Sequence, residues 1–240
     1  MDLTPRQNQI LLLIIEEYID SCQPIGSVEL VNKRGLNISG ATVRNIMADL
    51  VKKGYLQMPH ASSGRAPTER AYRYYITELM EEVPLSVLDE LAIKQKIWTT
   101  RFELERMLKN TAVALSDTTG MIAFALTTDG YIAYSGASKV LDMPEFYEID
   151  VAKAVFKFVD DYDLAISIVS QSQSESVTVF IGREIGLANM EPITIITAPC
   201  KIETNQCYIG LIGPSRTKYE KMIPIIKHTV NMLNEVGESL

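Results

Sequence analysis

The side chains best suited to chemistry lie on one predicted helix, which begins after Ser39 and ends before Gly54. Serine is a favoured cap at the start of a helix, and glycine is favoured just past its end. Apolar residues recur between them with the spacing of one buried helical face: Val43, Ile46, Met47 and Leu50. The opposite face carries Thr42, Arg44 and Asn45, so this face is the candidate for binding.

Arginine and asparagine are the side chains that form paired hydrogen bonds with guanine and adenine in the major groove of DNA. Arg44 and Asn45, together with Thr42, therefore predict a helix that reads bases. Ser39 and Lys52, at the two ends of the same helix, are further candidates for contacting DNA. The alternative for Arg44 is a contact with phosphate alone, which carries no sequence information.

A predicted strand at 55–58 and a flexible loop closed by Pro67 follow this helix directly. The candidate DNA contacts in the loop are His60, Ser62, Ser63 and Arg65. Hydroxyl and backbone N–H groups can bond phosphate oxygens, and an arginine can neutralise a phosphate or enter a minor groove. A structural alternative for Arg65 is pairing with Glu69, four residues further on.

Two helices are predicted before Ser39. Thr4 and Gln7 form a capping box, with Pro5 at the first helical position, and they open a helix with an apolar face. Residues 23–26 break that helix, and a short second helix follows at 28–34. Three helices, a strand and a basic loop, in this order, are typical of a winged helix-turn-helix domain.

A fourth helix is predicted at 68–80, and a long helix opens with a capping box at 86–89 and runs to about residue 115. The candidates for a dimer interface on the long helix are Leu91, Trp98, Phe102 and Leu108. Trp98 and Phe102 are four residues apart and are expected to share a face. Either both anchor a contact with a second subunit, or both are buried within one subunit.

From residue 119 the pattern mixes strands with helices. Strands are predicted at 121–126, 131–134, 164–169, 177–181, 193–198 and 207–212, and helices at 144–160 and 216–236. Thr128, Asp129 and Gly130 between the first two strands are a hairpin signal. The expected fold class is α+β, with a winged helix-turn-helix domain at 1–82, a connecting helix at 83–118, and an antiparallel sheet with helices at 119–240.

The net charge of −7 does not suggest nucleic-acid binding, but the distribution of charge does. Residues 32–73 contain eight Lys or Arg against two Asp or Glu, whereas residues 81–240 contain 14 against 22. A basic patch in an otherwise acidic chain is typical of a DNA-binding head on a separate body. The alternative is a charged surface that is merely solvated.

Composition indicates a protein of the cytoplasm. No apolar run approaches the roughly 20 residues of a membrane helix, and the start Met-Asp-Leu lacks the basic segment of a signal peptide. The three cysteines show no CxxC spacing, which fits a reducing compartment better than a disulfide framework. We therefore expect no membrane partner.

An enzyme is one rival interpretation, and the sequence offers little for it. The two histidines, His60 and His228, have no Cys or His nearby at metal-ligand spacing. Cys200 and Cys207 can face each other across the last predicted hairpin, and we expect them to be buried strand residues. The sequence has no phosphate-binding glycine motif. We predict no catalytic residue, metal site or cofactor.

The sequence resembles the HrcA family, the bacterial heat-inducible transcription regulators. The matching segments are 39–50 (SGATVRNIMADL), 59–68 (PHASSGRAPT), 72–73, 136–138, 144–146 and 209–216, with Tyr219. The motif in the head is long and specific, and the matching segments are spread over most of the chain, from Ser39 to Tyr219.

The resemblance implies a winged-helix head, a GAF-like body, and a cytoplasmic homodimer that represses chaperone genes at an inverted repeat. It also implies that a chaperonin supports the active repressor. Members of the family are usually longer, with a dimerisation domain inserted into the body. Here the segment 121–126 leads directly to Thr128 and leaves no room for that insert. A small-molecule sensor is the alternative function, since GAF-like bodies often bind ligands.

Overall fold

The chain divides into two units in the computed structural model, which describes residues 3–59, 64–171 and 176–239. Unit 1 contains the residues up to Glu81 together with Arg216–Lys218, and unit 2 contains Glu82–Ser215 and the residues from Tyr219 onward. Within the described ranges, no helix is long and apolar enough to cross a membrane.

Unit 1 has three helices followed by a short hairpin, which is the predicted order of elements. The elements are α1 (Pro5–Ser21), α2 (Ser27–Arg34), α3 (Gly40–Lys52), β1 (Leu56–Gln57), β2 (Ala66–Pro67), α4 (Glu69–Tyr74) and a π-helical turn (Tyr75–Leu79). Strands β1 and β2 pair antiparallel, and Leu56 lies opposite Pro67. The predicted fourth helix is therefore α-helical only as far as Tyr74.

The capping box predicted for α1 is confirmed. Thr4 Oγ1 accepts a hydrogen bond from Gln7 N–H at 3.2 Å, and Gln7 Oε1 accepts one from Thr4 N–H at 3.1 Å. These bonds satisfy donors that have no partner within the helix. The apolar faces of the first three helices bury one core, which includes Ile10, Leu11, Ile14, Leu30, Val43, Met47 and Leu50.

Unit 2 combines helices with one sheet, as the α+β expectation requires. Its elements are α5 (Val87–Trp98), α6 (Leu104–Thr119), β3 (Ile122–Thr127), β4 (Ile132–Ser135), α7 (Ala137–Val140), a 3-10 turn (Pro144–Tyr147), α8 (Ile149–Asp160), α9 (Tyr162–Val169), β5 (Thr178–Ile181), a second 3-10 turn (Gly182–Ile185), β6 (Ile193–Ile202), β7 (Asn205–Pro214) and α10 (Tyr219–Ser239).

The single long helix predicted from residue 86 is wrong, because the helix stops at Trp98 and a new one begins at Leu104. Two adjacent threonines supply a physical reason. The hydroxyls of Thr99 and Thr100 both donate to the Lys96 carbonyl, at 3.1 and 3.2 Å. Such side-chain bonds compete with the helical ladder. The resulting α5 and α6 pack against each other in unit 2.

Strands β3 to β7 of unit 2 form one antiparallel sheet in the order β4-β3-β7-β6-β5. The predicted β3–β4 hairpin is confirmed, since Thr127 N–H donates to the Tyr131 carbonyl at 2.9 Å and Gly130 has a φ of 115°. One cluster of buried side chains covers a face of the sheet. It includes Ile122, Phe124, Leu126, Val155, Phe158, Ile168, Ile193, Ile195 and Ile212.

The strand predicted at 164–169 is wrong, because these residues belong to α9. An apolar run of this length fits a buried strand and a buried helix equally well by periodicity. The preceding residue decides between them, since the Asp161 side chain caps the helix by accepting from Leu164 N–H at 3.1 Å. Helix α9 buries Ala165, Ile168 and Val169.

A carboxylate with two lysines ties together three elements of unit 2. Asp117 on α6 accepts from Lys96 of α5 at 2.6 Å and from Lys139 of α7 at 2.7 Å. Lys139 also donates to the Ser116 carbonyl at 3.0 Å. The two ammonium groups lower the pKa of Asp117 from 3.8 to about 2.

We expect Asp117→Asn to lower the free energy of unfolding, because it removes the charge that holds both lysines. The pKa of Asp117 is depressed in the folded state, so its stabilisation is complete above the ordinary pKa of 3.8 and is lost as pH falls toward 2. The difference between the variant and the wild type should therefore shrink in this window, as urea unfolding at several pH values would measure. Asp150→Asn is the control, since Asp150 contacts the exposed Lys153 at 3.6 Å. A deficit at Asp117 that does not change with pH would contradict the assignment.

Candidate nucleic-acid interface

Helix α3 is fixed in unit 1 by its cap and its apolar face. The Ser39 hydroxyl accepts from Thr42 N–H at 3.1 Å and lies 2.9 Å from the Thr42 hydroxyl. Val43, Met47 and Leu50 are buried, and Ile46 is half-buried. The predicted apolar face is therefore the one that packs inward.

The opposite face of α3 carries the predicted polar residues. Thr42, Arg44, Asn45 and Lys52 are all exposed. Within the described part of the chain, the side chains of Arg44 and Asn45 form no hydrogen bond or ion pair with other residues, so their donors are available to a ligand. The Lys52 side chain is 80% exposed and lies 3.9 Å from the Asp49 carboxylate, a distance too long for strong pairing.

An open groove of about 540 Å³ lies between α2 and α3. It is lined by Gly26, Ser27, Val28, Glu29, Asn32, Lys33 and Arg44. Arg44 is the lining residue that α3 contributes, and the others lie in α2 or at its start. This position suits either a base edge or a phosphate that passes beside α2.

Two of the basic residues counted in the sequence have structural partners. Arg34 contacts Glu17 at 2.7 Å and Glu16 at 3.1 Å, which fastens α2 to α1. Lys33 contacts Glu29 at 3.0 Å, and this hydrogen bond lowers the pKa of Glu29 and raises the pKa of Lys33. These charges are therefore less available to DNA than those of α3, a distinction that the sequence did not reveal.

The base of the predicted loop is joined to the chain before α2. Arg65 N–H donates to the Ile25 carbonyl at 2.9 Å, and Ile25 N–H donates to the Arg65 carbonyl at 3.1 Å. The Arg65 side chain is half-buried. His60, Ser62 and Ser63, the other candidates in this loop, lie outside the described residues.

An aromatic contact that sequence reasoning missed supports the chain just after α3. The Arg70 guanidinium lies 4.7 Å from the centre of the Tyr55 ring, and the Tyr74 ring meets Tyr55 edge-on at 5.3 Å. The Tyr74 hydroxyl donates to Asn8 Oδ1 at 3.1 Å. This cluster connects the start of the hairpin to α1 and α4. Arg70 is therefore a further basic residue with a partner inside the protein.

The predicted dimer residues do not form one face. Leu91 and Phe102 are 57% and 75% exposed, Trp98 is half-buried, and Leu108 is completely buried within unit 2. Leu108 is therefore a core residue, because α6 packs its apolar side against α5 and the sheet. Trp98 ends α5, so Phe102 lies in the connection and not on the same helical face. The Arg101 guanidinium contacts both rings, with its centre 5.3 Å from Trp98 and 4.3 Å from Phe102.

A family model described as HrcA protein C terminal domain matches residues 69–223, well over half of the chain. The heat-inducible transcription repressor HrcA of Symbiobacterium thermophilum is 23% identical, over 97% of this chain and 98% of that protein. The repressor of the same name from Bacillus pumilus is 25% identical, over 99% of each. Nearly the whole length of the chain, including unit 1, is therefore similar to these repressors.

The alignment with the Symbiobacterium protein runs over 334 positions. The chain has only 240 residues, so at least 94 of these positions are gaps on the side of this chain. The chain is a short form, as expected from the missing insert. A crystal structure described as a hypothetical protein at 2.2 Å resolution has a TM-score of 0.78 and 19% identity, over 99% of each chain. This likeness shows a shared fold.

We expect Gly64→Ala to destabilise unit 1 by roughly 1–3 kcal/mol, because the added Cβ would lie 2.6 Å from the Ile25 backbone nitrogen. The methyl group can be accommodated only if the bridge between Ile25 and Arg65 moves. Urea unfolding measures the change in the free energy of unfolding. Gly26→Ala is the neighbouring control, since nothing lies within 4 Å of a Cβ added there. Equal effects of the two substitutions would show that the close approach at Gly64 is unimportant.

Proposed function

The chain belongs to the HrcA family, and on this premise we propose that it is a transcriptional repressor that binds double-stranded operator DNA through α3. The names of its relatives as heat-inducible repressors support control of heat-shock genes. We also propose that it acts in the cytoplasm and that a chaperonin is a partner, both of which the family resemblance implies. Catalysis has no part in this proposal.

The observation that carries the proposal is the pair Arg44 and Asn45. Both are exposed on the outer face of α3, and neither side chain forms a hydrogen bond with another described residue. A guanidinium and a carboxamide in this state are ready to bond base edges in a major groove. The buried face of Val43, Met47 and Leu50 fixes the direction in which they point.

Residues around α3 supply the contacts with phosphate in this proposal. Lys52 is an exposed cation at the carboxyl end of the helix, and the Ser39 and Thr42 hydroxyls lie at its amino end, where N–H groups attract anions. Arg65, with the loop that contains His60, Ser62 and Ser63, is proposed to contact the backbone or a minor groove beside the helix. Phosphate contacts position the protein, and the base contacts specify the sequence.

We further propose that the protein binds DNA as a homodimer. One recognition helix makes few contacts, whereas two heads on an inverted repeat gain from effective concentration, because the second head binds intramolecularly. The family's inserted dimerisation domain is missing, so the contact has to use the remaining surface. The exposed apolar face of α5 is the best candidate.

Helix α5 is apolar on two sides. Ile93 and Ile97 are buried in unit 2, while Leu88 and Leu91 on the other side are 79% and 57% exposed. Val87 at its start is 69% exposed. An exposed apolar patch of this kind is typical of a surface that a partner covers.

The charges along α5 suit a second copy in antiparallel orientation. Asp89 lies near the amino end and Lys94 lies toward the carboxyl end, whereas Glu90 and Lys96 already face His228 and Asp117 within unit 2. A two-fold axis across the helix would place the acidic half of each copy beside the basic half of the other. A parallel arrangement would bring like charges together, so the two-fold arrangement is favoured.

We expect Arg44→Ala to weaken operator binding by roughly 1–3 kcal/mol, about 5- to 150-fold in Kd, while binding to random duplex changes much less. The operator would be recovered by selecting DNA fragments with the purified protein, and Kd would be measured at several salt concentrations. Asn45→Ala should behave similarly. Arg106→Ala is the matched control, since it removes an exposed arginine from α6. Equal losses of affinity for operator and random DNA, with the salt dependence of binding reduced by about one unit, would show that Arg44 contacts only phosphate.

We expect Leu88→Ser combined with Leu91→Ser to leave a folded chain that dissociates to monomers, because both side chains are exposed within one chain. Light scattering at micromolar concentration measures the mass, and operator affinity should fall together with dimerisation. Leu141→Ser is the control, since Leu141 is 47% exposed elsewhere in unit 2. A wild-type chain that is monomeric and yet binds the full operator tightly would refute the dimer. A double variant that stays dimeric would show that the interface lies on another surface of the chain.

A further inference from the structure

Cys200 and Cys207 lie directly opposite each other in the neighbouring antiparallel strands β6 and β7. Residues opposed in this way have Cα atoms about 4.5–5.5 Å apart and side chains on the same face of the sheet. A disulfide joins residues whose Cα atoms are about 4.4–6.8 Å apart. The pairing of the strands therefore already holds the two cysteines at bonding distance.

The two thiols interact with each other in the folded protein. Both cysteines are buried and reduced. The hydrogen bond between the thiols raises the pKa of Cys200 and lowers the pKa of Cys207. The Cys207 sulfur is also 3.8 Å from the Asn205 carbonyl. This direction favours Cys207 as the thiol that reacts first, with Cys200 opposite it as the second thiol.

The pair lies near the end of the β6–β7 hairpin and not at its centre. Two residues separate Cys200 from the turn, which begins at Glu203, an exposed residue with a φ of 53°. Strand β7 pairs with β3 on its other edge, and there Cys207 lies opposite Thr127, the last residue of β3 before an exposed loop. Opening of a few terminal pairs would expose the thiols, and such local opening needs less free energy than global unfolding.

We propose that Cys200 and Cys207 are a site of reversible oxidation, at which a hydroperoxide converts the two thiols into a cross-strand disulfide. The Cys207 thiolate attacks a peroxide oxygen, which gives a sulfenic acid and releases water or an alcohol after protonation. The Cys200 sulfur then attacks the sulfenic sulfur, forms the S–S bond and releases water. The two sulfurs lose two electrons in total, and the peroxide gains them.

Helix α10 covers the same end of the hairpin, and we expect formation of the disulfide to alter this helix. The Asn234 side chain accepts from Lys201 N–H at 2.9 Å, and a Cβ added at Gly237 would lie 2.8 Å from Ile202 Cα. Contact this close leaves little space for the strands to shift without moving the helix. The oxidised protein should therefore differ from the reduced protein in the hydrogen exchange of the last turns of α10.

The test uses the full chain with Cys22→Ser, which leaves only the two strand cysteines. The folded protein is treated with hydrogen peroxide, quenched, unfolded in denaturant and alkylated. We expect two alkylated thiols before treatment and none after it, a mass lower by two hydrogen atoms, and full recovery with dithiothreitol. A non-reducing gel should show a monomeric band, because the bond is intramolecular.

Two variants on the same background provide the controls. Cys200→Ser should stop the reaction at the Cys207 sulfenic acid, which dimedone traps, and Cys207→Ser should react more slowly. Two free thiols in the treated Cys22→Ser chain, under conditions that oxidise Cys22 in the wild type, would overturn the proposal. A disulfide that forms only when the chain is first unfolded, or only between chains, would overturn it as well.

Discussion

Unit 2 depends on the burial of β7, which is the central strand of the sheet. It pairs with β6 along its whole length and with β3 on its other side, and nearly all of its residues are buried. A strand enclosed in this way has no room for large side chains at every position. A Cβ added at Gly210 would lie 2.7 Å from the Ile196 carbonyl oxygen, and the ring of Phe124 occupies the remaining space. Phe124 in turn packs edge-on against Phe158 of α8, with ring centres 5.5 Å apart. The glycine of the central strand thus sets the position of the aromatic core.

Signals that act within a few residues could be predicted from the sequence. The capping box at Thr4, the cap at Ser39 and the hairpin after Thr127 all depend on neighbouring side chains, and each has the expected hydrogen bonds. Two other features could not be predicted, because the sequence pattern at each of them fits more than one structure. Helix α9 and a buried strand share the same apolar pattern, and the break after Trp98 follows from hydroxyls that a helix can also tolerate.

The candidate site could be predicted as a set of exposed residues but not as a distribution of charge. Periodicity alone placed Arg44 and Asn45 on the outer face of α3, because the apolar residues fixed the inner face. A count of charges treats Lys33, Arg34 and Arg70 alike, whereas the structure pairs them with carboxylates and with an aromatic ring. Glu17 is 17 residues from Arg34, so no local pattern could reveal that contact. Leu108 was misplaced for the same reason, since its burial depends on helices and strands distant in sequence.

The tight loop between β3 and β4 has a consequence for where this sheet can accept additional chain. The ladder ends at Leu126 and Ile132, and the residues between them form only the turn. The entropy lost on closing a flexible loop grows with the logarithm of its length, so even about 100 added residues would cost only about 3 kcal/mol more. A folded domain whose own ends lie close together would cost less. A whole domain added at this point would leave the register of β3 and β7 unchanged, so the sheet can accept it without rebuilding of the core.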